Sequence, residues 1–202
     1  CAAHRADCPF PQEMRYELPG LVIDNCAMAG RSSKTFREEG RLDDIATHIR
    51  PGDLLVVSFG HNDANRAKAE RYVPADAFGE SLRPFWDAAR SHGAVCIFAS
   101  PVAMREFDED SVCHPSFAAY REAMRAFAAE VGAPFIDLGA ATAAANTAFG
   151  AERCKARYMW VGAKQDNAHQ QNAGACRTAQ AFVQQLLQDT TPALDVLRAN
   201  FK

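Results

Sequence analysis

The chain has 202 residues, of which 48% are apolar and 23% are charged. This length and balance are typical of one soluble globular domain and unlike those of disordered chains. The net charge is −3, from 22 basic and 25 acidic side chains spread along the sequence, so no basic stripe is present to bind a phosphate backbone. No apolar run approaches the roughly 20 residues that span a bilayer. These features argue against nucleic acid or a membrane as a partner.

The cysteines indicate a reduced environment. They number seven, and no pair has the C-x-x-C spacing of a zinc or redox site. Three of them lie within or beside predicted buried elements, where a thiol packs as a small apolar group: Cys26, Cys96 and Cys176. This pattern favours a cytoplasmic location. Because the first residue is Cys1 and not Met, export stays open, as does one disulfide, either Cys1–Cys8 or Cys113–Cys154.

Short apolar runs alternate along the chain with segments of helical period. This alternation predicts a parallel sheet with helices on both faces. Four buried parallel strands are predicted, at residues 21–25, 54–59, 94–99 and 135–138. The last three follow Gly or Pro, as buried strands bounded by turns do.

Helices are predicted where apolar residues recur at spacings of three or four. The three stripes are Phe78, Leu82, Phe85, Trp86 and Ala89, then Phe117, Tyr120, Met124, Phe127 and Val131, then Ala175, Ala179, Phe182, Val183, Leu186 and Leu187. Pro84 is expected to kink the first helix, and the Ala-rich stretch 139–145 predicts a further short helix. The stripes are interpreted as core faces. Since no repeat or linker divides the chain, we expect a single domain over residues 1–202.

Two polar loops follow the first and second predicted strands, at the edge where parallel sheets bind ligands. Gly30 lacks a Cβ, so its backbone N–H can approach a developing oxyanion closely. Asn62, in the segment Phe59-Gly60-His61-Asn62-Asp63, carries an amide donor suited to the same task. Taken alone, each loop is explained more simply as a turn.

A third loop holds Asp166 and His169 near the end of the chain. A carboxylate three residues before an imidazole can bond Nδ1 and leave Nε2 to take a proton from a hydroxyl nucleophile. An isolated pair of this kind is more often a helix cap beside a surface histidine.

In combination, the three loops resemble blocks two, three and five of the SGNH hydrolases. Nearly the whole sequence is similar to the rhamnogalacturonan acetylesterase branch of that family. The segments that carry the resemblance are 25–36, 39–45, 51–53, 60–63, 100–102, 107–110 and 166–169. The resemblance implies a three-layer α/β/α fold with a parallel, flavodoxin-like sheet.

The resemblance also implies a role for each loop. The N–H of Gly30 and the side chain of Asn62 would be oxyanion-hole donors, His169 the general base and acid, and Asp166 the residue that orients it. The implied reaction is Ser-His-Asp hydrolysis of acetyl esters on a carbohydrate, without a metal or organic cofactor. The three loops are therefore expected to converge.

The nucleophile is the one departure from the family. SGNH hydrolases carry it in a G-D-S block at the end of the first strand, and no G-D-S occurs in this chain. The residues from Cys1 onward resemble the segment that comes after that block, so we expect the serine and the family's first strand upstream. Without them the chain should be nearly inactive, since binding and oxyanion stabilisation alone supply roughly 10³ to 10⁴ over water. Ser32 and Ser33 accompany the oxyanion glycine in the family and are not expected to substitute.

Several side chains are candidates for substrate contact. Arg31 and Arg157 are suited to acidic sugars, Trp160 or Tyr158 to stacking on a sugar ring, and His61 to lining the cleft; for the arginines, surface solvation is the simpler account. The expected partner is an acetylated oligo- or polysaccharide. A general short-chain SGNH esterase and a non-catalytic carbohydrate-binding fragment stay open as alternatives.

Overall fold

The computed structural model describes residues 22–200, which fall into two compact units. Within that range, residues 28–101, 117–136 and 187–200 form the first, here called the sheet unit. Residues 22–27, 102–116 and 137–186 form the second, here called the hairpin unit. The single domain expected over residues 1–202 stays a prediction.

Helices and strands alternate along most of the chain. In chain order they are α1 (Ser33–Glu38), α2 (Arg41–Ala46), β1 (Leu54–Val57), α3 (Ala75–Ser91), β2 (Val95–Ala99), α4 (Ala118–Val131), β3 (Phe135–Ile136), α5 (Leu138–Phe149), α6 (Ala151–Cys154), β4 (Tyr158–Val161), β5 (Lys164–Gln170), α7 (Asn172–Gln188) and α8 (Asp195–Asn200). Short 3₁₀ turns cover Lys155–Arg157 and Pro192–Leu194.

The sheet unit is built on a parallel sheet in the order β1-β2-β3. Leu54 of β1 lies opposite Val95 of β2, and Phe98 of β2 opposite Phe135 of β3. Because β2 has a neighbour on each side, its last four residues are buried, as expected of a central parallel strand. The predicted α/β class with a parallel sheet is confirmed.

The core of the sheet unit is formed by the apolar stripes of α3 and α4, as predicted. Phe78 and Leu82 of α3 are fully buried, and the Phe78 ring meets that of Tyr120 on α4 edge to face at 5.1 Å. The helix α3 runs through Pro84 as one element. Phe117 begins its helix as the N-cap, with a positive φ of 56°.

The hairpin unit joins α5 and α7 to the antiparallel pair β4–β5. Tyr158 of β4 is fully buried, and its hydroxyl donates to the carbonyl of Ala103 at 2.7 Å and accepts from Asn146 Nδ2 at 2.8 Å. Buried polar groups need such partners because desolvation otherwise costs about 1–3 kcal/mol each.

Two predicted strands require correction. Residues 22–25 form no strand, while Leu21 lies outside the described residues. A parallel strand needs a ladder partner, none pairs with 22–25 in the described range, and the Val22 side chain is 96% exposed. The run 135–138 ends as a strand at Ile136, because the Asp137 side chain accepts from Ala140 N–H at 3.2 Å and starts α5.

Cys96, Cys113 and Cys154 are buried free thiols. The possible Cys113–Cys154 disulfide is therefore not formed. The other possible disulfide, Cys1–Cys8, lies outside the described residues. Within residues 22–200, no helix has the length and apolar character needed to cross a bilayer.

Leu82→Ala should lower the free energy of unfolding by about 2–5 kcal/mol, because the fully buried side chain leaves a cavity in the α3–α4 core. Urea unfolding measures the loss. Val161→Ala, at a side chain that is 57% exposed, is the control and should cost less than about 1 kcal/mol. Equal losses for the two variants would contradict the placement of this core.

Candidate active site

Asp166 and His169 form a hydrogen-bonded pair on β5. The His169 Nδ1 atom lies 2.8 Å from Asp166 Oδ2, and Asp166 Oδ1 accepts from the backbone N–H groups of Ala168 and His169 at 2.8 and 3.0 Å. Since a carboxylate accepts, Nδ1 carries the hydrogen, which leaves the lone pair of a neutral imidazole on Nε2. The His169 side chain is 77% exposed, so a proton donor can reach it.

The environment of Asp166 keeps this carboxylate ionised. Burial raises its pKa, but hydrogen bonds from the His169 and Ala168 backbone amides and from the His169 ring outweigh that effect and lower the pKa from 3.8 to about 2. Lys164 adds an ammonium group 3.6 Å from Oδ2. An ionised carboxylate both orients the ring and stabilises the imidazolium that forms when the base takes a proton.

The pair lies in a β-hairpin, where the sequence suggested a loop before a helix. Trp160 pairs with Gln165 and Val161 with Lys164 across the turn. Alternation of apolar and polar residues is weak in β5, whose sequence is KQDNAHQ, so periodicity gave no strand signal.

Hydrogen bonds from Arg105 and Trp160 to Asn167 hold the hairpin, and the sequence did not predict them. Arg105 donates from its backbone N–H to the Asn167 carbonyl at 2.7 Å and from Nη1 to Asn167 Oδ1 at 3.3 Å. Trp160 Nε1 donates to the same oxygen at 2.8 Å. Asn167 is thus fixed between the two residues of the pair, which restricts the turn from Asp166 to His169.

In the sheet unit, Gly30 lies in a turn that leads into α1. Its φ is +76°, a left-handed conformation that favours glycine. Ser32 caps the helix through its hydroxyl, which accepts from Thr35 N–H at 3.2 Å, and Thr35 Oγ1 accepts from Ser32 N–H at 3.0 Å. This capping box fixes the backbone that leaves Gly30.

Asn62 is held against the Gly30 segment from the other side. Its Nδ2 donates to the Arg31 carbonyl at 3.1 Å, and its Oδ1 accepts from Arg71 Nη1 at 3.2 Å. The structure therefore brings the two predicted oxyanion donors into neighbouring segments of one unit.

A buried carboxylate, Asp63, joins the same two segments. Oδ1 accepts from the Ser33 backbone at 2.9 Å and the Ser33 hydroxyl at 2.6 Å, and Oδ2 accepts from Gly60 N–H at 3.0 Å. Burial raises the pKa of Asp63, although the bonds from Ser33 and Gly60 act in the opposite direction. Gly60 admits no side chain, since a Cβ there would lie 2.4 Å from Pro101 Cγ. Sequence reasoning assigned no role to Asp63.

The predicted sugar contacts are mostly engaged within their own units. Arg31 Nε bonds both carboxylate oxygens of Glu39, at 3.0 and 3.1 Å, and the His61 ring packs edge to face on Phe117 at 4.8 Å. Their roles toward a substrate stay predictions.

The aromatic and basic candidates of the hairpin unit differ from one another. Stacking of Tyr158 on a sugar is wrong, because this side chain is fully buried. The Arg105 guanidinium and the Lys155 ammonium lie over the Trp160 ring, 4.7 and 4.8 Å from its centroid. Arg157 Nη1 donates to the Ala145 carbonyl at 3.0 Å. The convergence of Gly30 and Asn62 with Asp166 and His169, which lie in the other unit, stays a prediction.

Comparison with known proteins decides the family. The sequence profile of the GDSL-like Lipase/Acylhydrolase family matches residues 2–175. The chain belongs to this family. Rhamnogalacturonan acetylesterase RhgT of Bacillus subtilis (strain 168) is 35% identical over 187 residues, which covers 88% of this chain and 79% of RhgT. The probable rhamnogalacturonan acetylesterase YesY of the same organism is 38% identical over 156 residues, 77% of this chain and 71% of YesY.

A solved structure agrees with this assignment. The crystal structure of YxiM from Bacillus subtilis matches with a TM-score of 0.80 at 27% identity, over 89% of this chain and 49% of YxiM, so the chain spans about half of that protein. The resemblance to SGNH hydrolases of the rhamnogalacturonan acetylesterase branch is confirmed, as is the prediction of a serine ester hydrolase.

Asp63→Ala should lower the free energy of unfolding by at least about 2 kcal/mol, because the buried N–H groups of Ser33 and Gly60 lose their acceptor. Chemical denaturation measures the change. Asp87→Ala, at an exposed position of α3, serves as the control and should stay within about 0.5 kcal/mol of the parent. If Asp63→Ala were as stable as the control, the carboxylate would not be the tie between these segments.

The Asp166 carboxyl should remain ionised at pH 3, with a titration midpoint near its pKa of about 2. Because this pKa is lowered on folding, the pair contributes stability above pH 3.8 that is lost as the pH falls toward about 2. His169→Ala should raise the midpoint only in part, since both backbone donors remain. Carbon-detected NMR of the side-chain carboxyl follows the titration, and a midpoint near 3.8 in the parent would refute the assigned bonds.

Proposed function

We propose that this chain supplies the general base and the oxyanion donors of a carbohydrate O-acetylesterase. The observation that carries the proposal is the 2.8 Å bond between Asp166 and the exposed His169 ring, in a chain that belongs to a family of acylhydrolases. A pair of this geometry prepares Nε2 to accept a proton from a hydroxyl group.

The proposed reaction proceeds in two acyl-transfer steps. A serine hydroxyl gives its proton to His169 Nε2 while its oxygen attacks the acetyl carbonyl, and the N–H of Gly30 and Nδ2 of Asn62 stabilise the resulting oxyanion. The tetrahedral intermediate collapses when His169 returns the proton to the sugar oxygen, which leaves as an alcohol. Water then gives a proton to the same ring and attacks the acyl-serine carbonyl, and the ring returns that proton to the serine oxygen as the acetyl group leaves as acetic acid, which ionises to acetate. The G-D-S block of the family is the expected source of this serine.

The names of the relatives support the substrate class. RhgT is named as a rhamnogalacturonan acetylesterase and YesY as a probable one, so an acetylated pectic saccharide is the proposed substrate. Arg31, His61 and Trp160 are the proposed sugar contacts. For Arg31 this requires that the guanidinium, which is 34% exposed, exchange or share its bond to Glu39.

Acetate release from acetylated rhamnogalacturonan tests the proposal, measured on the protein with a G-D-S serine in place. His169→Ala should lower kcat/KM by about 10³-fold or more, because the base is lost while binding remains. His114→Ala is a matched control. His114 also bonds a carboxylate, Asp108, at 2.6 Å and is 66% exposed, yet it should leave turnover unchanged.

The alternatives give different outcomes in the same assay. A general short-chain esterase would cleave a chromogenic acetate and acetylated xylan as well as it cleaves the pectic substrate. A non-catalytic binding protein would retain the saccharide and release no acetate. Loss of turnover in His114→Ala, with His169→Ala still active, would show that His169 is not the base.

A further inference from the structure

The Arg71 guanidinium contacts the side chain of Asn62 and lies near Gly30. Its Nη1 is 3.2 Å from Asn62 Oδ1 and 3.7 Å from the position that a Cβ would take on Gly30. The side chain is 31% exposed, so about two thirds of its surface is covered by protein. No motif in the sequence drew attention to this residue.

Two contacts determine the orientation of the Asn62 amide, that is, which of its terminal atoms is Oδ1 and which is Nδ2. A guanidinium can only donate, so the atom that Arg71 contacts must be Oδ1. A backbone carbonyl can only accept, so the atom that contacts the Arg31 carbonyl must be Nδ2. Both contacts therefore require the same orientation, and Nδ2 keeps a second hydrogen for a substrate oxygen.

We propose that Arg71 is a positioning residue that orients and polarises the Asn62 amide as an oxyanion donor. A cation at Oδ1 draws electron density from the amide nitrogen, which makes its remaining N–H a stronger donor. The inference rests on the proposed function, because it assigns Asn62 the oxyanion role.

The fold holds Arg71 in place through its own backbone and that of its neighbours. The Arg71 N–H donates to the Lys68 carbonyl at 2.9 Å. Val73 N–H donates to the Asp63 carbonyl at 3.0 Å, and the Tyr120 hydroxyl donates to the Val73 carbonyl at 2.7 Å. The loop from Asp63 to Val73 is thus closed by a hydrogen bond between its ends, and a second bond connects it to α4.

A surface ion pair is the competing account of Arg71. Its Nε lies 3.7 Å from Glu70 Oε1, but the Glu70 side chain is 61% exposed, and exposed pairs of this kind contribute little to stability. The contact with Asn62 is shorter and lies at a less exposed site, so it is the better explanation for the placement of the guanidinium.

A double-mutant cycle, measured with the G-D-S serine in place, tests the inference. Arg71→Met should lower kcat about 10-fold to 100-fold with little change in KM, since the interaction strengthens only in the transition state. In the Asn62→Ala background the same change should have almost no effect, because Arg71 acts through that amide. Arg71→Lys should restore part of kcat, and Arg66→Met, on the same segment, is the control. Additive losses would overturn the inference while leaving the esterase in place.

The side-chain amide resonances of Asn62 provide a readout independent of turnover. Arg71→Met should shift both N–H signals, whereas Arg66→Met and Glu70→Gln should leave them in place. Unchanged signals in Arg71→Met would overturn the inference. Failure to release acetate when the G-D-S serine is present would instead count against the proposed function, and the amide signals would still report whether Arg71 orients Asn62.

Discussion

The buried carboxylate of Asp63 is the constraint on which the sheet unit's candidate site depends. Its two oxygens accept three hydrogen bonds, from Ser33 and Gly60, and so hold the Gly30 segment to the Asn62 segment. Burial raises the pKa of Asp63, which means that this tie carries a desolvation cost in the folded protein. The alignment of Gly30 with Asn62 rests on that one side chain and on the Asn62 bond to Arg31.

Asp63 in the sheet unit and Asp166 in the hairpin unit serve different purposes because their surroundings differ. Asp63 is fully buried and holds backbone segments, whereas Asp166 lies at the edge of a hairpin, 20% exposed, and holds an imidazole. Donors from two backbone amides and the ring lower the pKa of Asp166 to about 2. These donors favour the ionised carboxylate, the form that accepts a hydrogen bond from the His169 ring.

The sequence predicted the strands and helices whose apolar pattern is regular. The stripes of α3, α4 and α7 were recognised because each repeats over three or more turns. The β4–β5 hairpin was missed because its second strand is almost entirely polar, and the strand at 22–25 was wrong because pairing partners are not visible in local sequence. Asp166, His169, Gly30 and Asn62 came from motifs, while Asp63, Arg71 and Arg105 act through contacts that only the folded chain brings about.

The candidate residues of the two units differ in how far apart along the chain their contacting partners lie. Asp166 and His169 are three residues apart, so closing their contact costs little chain entropy. Asn62 meets the Arg31 carbonyl across 31 residues, and Asp63 meets Ser33 across 30, contacts that require the sheet unit to be assembled. Mild heat or denaturant should therefore break the long-range contacts of Asn62 and Asp63 before the local hydrogen bond between Asp166 and His169 is lost.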